Sequence, residues 1–314
     1  MLVEEGFDVD RVSELLAQDG TVVWLDLERP GPQDLQTITE ELGLHPLAVE
    51  DAMGEHQRPK VDRYDDHLFL ASYVVQLDPV TGQLGTAEVA AFLTARALVT
   101  VRKGDGLRVE PLVARWDQAG QEVAAQGVGF LLHGLLDLLV DGYFDAVQVL
   151  DDEIEDLEDV LFDVQPRARE LQRRSFEVRK SLVQLRRVVL PMREVVNTFM
   201  RRDVHLVTAD LQPYYQDVYD HVLRASEWTE GLRDLVSTVL ETNLTLQSNR
   251  LDESIGRLTA YAAILAVTTA ITGFYGQNVP YPGFGKASGF VSSILLLVGS
   301  VAALYVLFKR KGFL

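Results

Sequence analysis

LTAYAAILAVTTAITGF (258–274) and FVSSILLLVGSVAALYVLF (290–308) stand close together, joined by YGQNVPYPGFGKASG (275–289). Neither apolar run holds a charged residue. At about 1.5 Å of rise per residue each, with its flanks, can cross a hydrocarbon core of about 30 Å. The reading is a membrane protein with two C-terminal spans, at 258–275 and 290–308, and a very large soluble part. The second run stops at Lys309-Arg310-Lys311, in a basic tail at 309–314, and Arg250 and Arg257 precede the first. The connector at 276–289 carries only Lys286. The positive-inside rule therefore predicts both termini in the cytoplasm.

Two helices per chain cannot enclose an aqueous path, and a hydrated ion cannot face lipid. Any conduction pathway must then be built by several copies around an axis. Topology leaves a second possibility open, a hairpin that anchors a cytosolic sensor or scaffold. Composition narrows the ligands. The 314 residues carry a formal net charge of -18, which argues against a nucleic-acid partner, because no broad basic face exists to neutralise phosphates. Cations are the natural ligands of such a chain. With no cysteine there is no disulfide framework and no thiolate metal site. The opening MLVEEG (1–6) lacks the basic-then-apolar pattern of a cleaved signal.

Upstream of the spans the soluble part divides. Residues 1–106 read as a small α/β domain. Strands are expected over Thr21 to Leu27, His67 to Leu77, Glu88 to Thr94 and Ala97 to Arg102, and a short helix over Gln33 to Leu42. Residues 107–211 are helical and asymmetric in charge. Between Gly129 and Asp163 every charged side chain is acidic, whereas Arg167 through Arg193 is dominated by arginine. Val164-Gln165-Pro166 reads as the turn of an antiparallel hairpin with opposite charges facing. Exposed ion pairs contribute only about 0 to 1 kcal/mol each, so such pairing sets register more than stability. Residues 212–275 contain one proline, at Pro213, and none follows it before Pro280. Apolar residues recur there at helical spacing, which predicts one stalk helix of about 90 Å running into the first span. Gly231, Gly256 and Gly273 are its weak points.

No catalytic constellation competes, so an enzyme is not expected. The six histidines are scattered without ligand spacing, no phosphate-cradling glycine loop is present, and no cofactor is implied.

Ser248-Asn249-Arg250, Leu258-Thr259, Thr269, Gly273 and Tyr275-Gly276-Gln277-Asn278 together resemble the pore helix and signature loop of the CorA family of divalent-cation transporters. The family's usual signature is Tyr-Gly-Met-Asn. Asp217-Val218-Tyr219-Asp220-His221, His45-Pro46, Glu50-Asp51 and His56-Gln57-Arg58-Pro59-Lys60 extend the resemblance over most of the chain. It implies an α+β membrane protein forming a homopentameric funnel: an N-terminal α/β cytosolic domain, a long stalk helix that continues into the pore-lining first span, and an outer second span. It implies a divalent-cation channel in the inner (plasma) membrane, for magnesium first and cobalt or nickel next, with the zinc-transporting branch as the alternative.

Carried over residue by residue, Gly276, Gln277 and Asn278 form the selectivity mouth, with the Asn278 amide holding a hydrated ion. Asp252, Ile255, Leu258, Ala266, Thr269 and Gly273 line the pore. Glu50, Asp51 and Asp217 match positions that bind regulatory metal between neighbouring subunits. Magnesium releases water reluctantly, so a ring of amide and carbonyl oxygens can select the ion with its hydration shell. Three departures bear on which ion is carried. Gln277 replaces methionine, the segment from Tyr275 to Gly289 has no acidic residue, and Asp252 stands where a neutral amide is common.

Overall fold

The computed structural model describes residues 6–54, 57–78, 83–104, 106–118, 125–161, 168–201, 206–277 and 280–313. The chain divides into two compact units, Met1–Val239 and Leu240–Leu314.

In the first unit a five-stranded sheet has the order β1-β5-β4-β3-β2. β5 (Ala97–Arg102) is buried along its whole length and apolar but for Thr100 and Arg102, which suits an interior strand with both faces covered. On one side it pairs in parallel with β1 (Val23–Glu28), Val23 opposite Ala97. On the other it pairs antiparallel with β4 (Leu84–Leu93). β4 and β3 (Leu68–Leu77) form a full ladder from Leu68↔Leu93 to Leu77↔Leu84. β4 thus begins earlier than the expected Glu88. Gly85 and Ala87 have little strand preference of their own, and pairing of Gly85, Thr86 and Ala87 to Gln76, Val75 and Val74 fixes the segment. The edge strand β2 (Lys60–Arg63), Lys-Val-Asp-Arg, has no apolar alternation to announce it. Its charges suit an exposed edge.

Three helices cover one face: α1 (Val12–Leu16), α2 (Pro32–Leu42) and α3 (Pro46–Met53). Val12, Leu35, Ile38, Ala48 and Ala52 pack there with Phe69, Phe92 and Val99. α2 starts where the Asp34 carboxylate accepts the Gly31 N–H at 2.8 Å. It stops at Gly43, whose φ of 64° is left-handed. Side chains alternate across a strand, so the equally buried Leu70 and Ser72 face the other way. There α4 (Val109–Gln118) sets Trp116 edge-on against Trp24, with centroids 4.7 Å apart. Tyr143 of α5 (Val128–Leu161) donates to the Tyr73 carbonyl at 2.9 Å.

His67 is buried between these layers, 5 % exposed and stacked on Tyr64, which in turn stacks on His45. Its Nε2 accepts the His45 N–H at 3.4 Å, and its Nδ1 has no partner among the described residues. Burial, with His45 nearby, pushes its pKa below the ordinary 6.5. The unfolded chain therefore takes up the proton first, and acidification below 6.5 towards the folded-state pKa destabilises the fold. A His67→Gln protein should lose less melting temperature than the wild type between about pH 7.5 and pH 5.5. Equal losses in thermal melts of the two proteins would exclude His67 as a source of acid sensitivity.

α5 is followed by α6 (Ala168–Met200). The turn residues expected between them, Val164-Gln165-Pro166, lie outside the described residues. Arg174 near the start of α6 meets Glu153 near the end of α5 at 2.8 Å, as an antiparallel pair requires. Among the described residues the expected facing of opposite charges is seen at this guanidinium, with Asp156 at 3.6 Å from it as well. Arg186 turns instead to Glu230 of the next helix. An apolar seam holds the pair. Leu139, Val147, Leu150 and Leu157 are buried on α5, and Val178, Leu185, Val189 and Val196 on α6. α7 (Gln212–Tyr275) remains α-helical through Gly231, Gly256 and Gly273, so the expected weak points do not break it.

In the second unit, the C-terminal part of α7 and α8 (Ala287–Arg310) are long and apolar enough to cross a membrane. α8 is thus longer at both ends than the expected 290–308. At one end of this unit Phe313 lies against Gly256, where a Cβ would meet its ring at 2.7 Å. At the other end Gly289, at the start of α8, approaches Gly283 so closely that a Cβ on it would sit 2.3 Å from the Gly283 oxygen.

Candidate functional site

α7 ends in a tight wrap at the motif residues. The Gly276 N–H reaches the Thr272 carbonyl at 2.9 Å, and the Gln277 N–H reaches Phe274 at 3.3 Å. Gly276 and Gln277 are exposed; Asn278 lies outside the described residues. The chain returns through Tyr281, whose ring packs edge-on against Tyr275 at 4.9 Å and Phe284 at 5.3 Å. Gly283 then adopts φ 90°, a conformation that a side chain would strain.

Below the motif, Asp252, Ile255, Leu258, Ala266, Thr269 and Gly273 are all exposed in the single chain. At about 100° per residue they fall within an arc of about 120° of the helix. Gly256, Ala260, Ala263, Ile264, Val267 and Ile271, on the other side, are all less exposed. The Thr269 hydroxyl donates to the Leu265 carbonyl at 2.8 Å, which leaves the lone pairs of its oxygen available to accept from the waters of an ion. Ile255 and Leu258, 59 % and 71 % exposed, are apolar rungs one turn apart.

The acidic candidates of the first unit occupy different surroundings. Glu50 is exposed on α3. Asp51, one residue on, is 26 % exposed and already engaged. Its Oδ2 meets the Lys60 ammonium at 2.6 Å, and its Oδ1 accepts from the Gln57 amide at 3.3 Å. Asp217 on α7 is 68 % exposed and stands 3.8 Å from His221 Nε2.

Among the described residues, the group of three side chains placed to share a metal ion is Asp137, Asp141 and His221, whose ligand atoms lie within 4.8 Å of one another. In the sequence His221 stands among scattered histidines without ligand spacing. The i, i+4 spacing of Asp137 with Asp141 and of Asp217 with His221 was the available clue. Arg115 of α4 reaches both aspartates, Asp141 at 2.7 Å, so the cluster already holds a cation. Burial pushes the Asp137 carboxyl up, against the pull of Arg115, and pushes the neighbouring His133 down.

Three comparisons bear on the assignment. The family model described as CorA-like Mg2+ transporter protein matches residues 19–310. The chain is 30% identical over 297 residues to the cobalt/magnesium transport protein CorA of Thermotoga maritima, covering 94% of this chain and 84% of that one. It is 29% identical to the putative metal ion transporter YfjQ of Bacillus subtilis, covering 93% and 90%. Among solved structures, the complete CorA magnesium transporter from Methanocaldococcus jannaschii superposes with a TM-score of 0.76 at 21% identity, covering 93% of this chain and 92% of that one. The ZntB cytoplasmic domain from Vibrio parahaemolyticus gives 0.57 at 15% identity, covering 72% and 88%.

Proposed function

The chain belongs to the CorA-like Mg2+ transporter family, and on that premise we propose that it is a homopentameric channel carrying divalent cations into the cell. Magnesium is the first candidate and cobalt or nickel the next. The observation that carries this reading is the exposed stripe from Asp252 to Gly273 on a helix that ends in Tyr275-Gly276-Gln277. Repeated around an axis, it surrounds a path with threonine oxygens and apolar rungs, the latter able to close by dewetting. The basic flanks of both spans support cytoplasmic termini in the inner membrane. Transport needs no nucleotide: a divalent ion crossing 100 mV gains about 4.6 kcal/mol, twice the single-charge value. The zinc alternative is supported by the fold likeness of a soluble domain, whereas the relatives that match most of the chain include named cobalt and magnesium transporters.

The test is flux into liposomes of the purified protein at a clamped potential, with magnesium, cobalt, nickel and zinc compared in one series. Inward magnesium flux that rises with inside-negative potential is expected. A detergent-solubilised monomer or dimer without flux would favour the membrane-anchored scaffold.

Control by the transported ion belongs to the same reading. Glu50, Asp51 and Asp217 supply carboxylates that, at a junction between neighbouring subunits and with Lys60 drawn off Asp51, would repel unless a divalent ion bridged them. At about 4 Å and an effective dielectric of about 20 that repulsion is about 4 kcal/mol per pair. Asp51→Ala combined with Asp217→Ala should raise the internal magnesium needed to halve the flux at least several-fold, leaving the external ion preference unchanged. Shut-off at the wild-type concentration would remove these residues from the sensor.

A further inference from the structure

Asp51 is not a vacant carboxylate. Lys60 Nζ stands 2.6 Å from Asp51 Oδ2 and 2.7 Å from Asp62 Oδ2, bridging the end of α3 to the edge strand β2. The amide of Gln57 takes the other Asp51 oxygen. Gln57 is itself held, since its carbonyl accepts the Tyr73 hydroxyl. The Lys60 ammonium also lies 5.9 Å from the centre of the Phe69 ring. The end of α3 has a second cation, because Lys103 reaches both the Gly54 carbonyl and, at 2.7 Å, the Glu88 carboxylate. With α3 braced independently there, the Asp51–Lys60 pair is free to act as more than a structural clasp.

From this geometry we propose that Lys60 is the resident counter-ion of Asp51, and that internal divalent cation must displace its ammonium to bind there. The inference rests on the reading of Asp51 as part of the cytosolic sensor and adds the residue that sets its threshold. The exchange is electrostatically balanced in both directions. A monovalent ammonium on two carboxylates is a modest partner in a site still open to water, whereas a divalent ion brings twice the charge and recruits Asp217 or Glu50 as well. Without a competitor the carboxylate would fill at low internal magnesium. With one, closure waits until the ion is abundant. Asp62 takes part by sharing the ammonium, so that Lys60 can swing towards Asp62 when Asp51 changes partners without becoming an unpaired charge.

The experiment is magnesium titration of the internal face of the full-length protein in liposomes or excised patches, with oligomer assembly checked by size exclusion. Lys60→Met should lower the magnesium concentration for half-closure about two- to fivefold, the upper part of the range expected for losing one partly exposed ion pair. Lys60→Gln should act in the same direction if the methionine variant assembles poorly. Lys60→Arg, which keeps the charge, should stay near the wild type. Arg58→Gln, which removes an exposed positive charge two residues away, should not reproduce the shift; if it does, the effect is general surface charge and the proposal fails. If Lys60→Met closes at the wild-type concentration, or at a higher one, while Asp51→Ala is shifted, the sensor stands and Lys60 is not its competitor. If neither variant is shifted, the sensor reading itself falls.

Discussion

Asn278→Ala protein should assemble, reach the membrane and carry no divalent flux above background. The amide is expected to hold the waters of an incoming ion, and in a ring of identical chains every copy loses its acceptor at once. A hydrogen bond to a charged group contributes about 1.5 to 3 kcal/mol, and about 2.7 kcal/mol already corresponds to a hundredfold change. Loss of several acceptors together should therefore lower uptake by at least about a hundredfold. Gln277→Met, which restores the common family residue, should retain flux and shift preference among magnesium, cobalt and nickel. The measurement is dye-reported uptake into liposomes at matched protein content. Substantial uptake by a correctly assembled Asn278→Ala oligomer would remove the amide from selection.

The largest loss of stability is expected at Gly129. A Cβ there would lie 2.1 Å from the Leu206 carbonyl oxygen and 3.0 Å from Leu211 Cδ1. The first obstacle is backbone and cannot rotate away. The Gly129 carbonyl also accepts the hydroxyl of the fully buried Tyr215 at 2.7 Å, so pushing the 206–211 segment outward also threatens the junction between α5 and α7. Gly129→Val should cost about 3 kcal/mol or more, the upper range for overpacking combined with a lost buried hydrogen bond. Gly231→Ala is the contrasting control, because a Cβ at that position meets nothing within 4 Å. It should be neutral or slightly stabilising. Denaturant melts of the two proteins give the comparison; similar midpoints would show that the 206–211 segment yields without cost.

What could be read in advance followed from how local each cause is. The spans were legible because lipid demands long apolar runs, and β5 because its residues are mostly apolar and β-branched. β2 was not legible: Lys60, Val61, Asp62 and Arg63 carry no alternation, and their pairing with Leu68 to Ala71 makes the strand. The first residues of β4, Leu84 to Ala87, were missed for the same reason. α6 was read through its arginines, yet Leu185, Val189 and Val196 decide how it packs. At the candidate site, the stripe from Asp252 to Gly273 came from the family resemblance. The engagement of Asp51 by Lys60 could not be read, because it depends on β2 returning beside α3. The meeting of His221 with Asp137 and Asp141 is likewise tertiary, joining residues of two long helices far apart in sequence.

The parallel pairing of β1 with β5 sets the order in which this protein can be made. Trp24 and Thr100, hydrogen-bonded across that pair at 3.2 Å, are 76 positions apart. At about 5 to 20 residues per second, β1 leaves the ribosome about 4 to 15 seconds before the strand it pairs with exists. The β3–β4 hairpin, with a short connection, can close early; β1 has to wait for β5. The opening strand therefore remains an unpaired edge during synthesis, and the sheet is completed before the first apolar span has been translated. A ribosome paused after β5 should then yield a nascent chain whose β1 region resists proteolysis, and a pause just before it, one that does not.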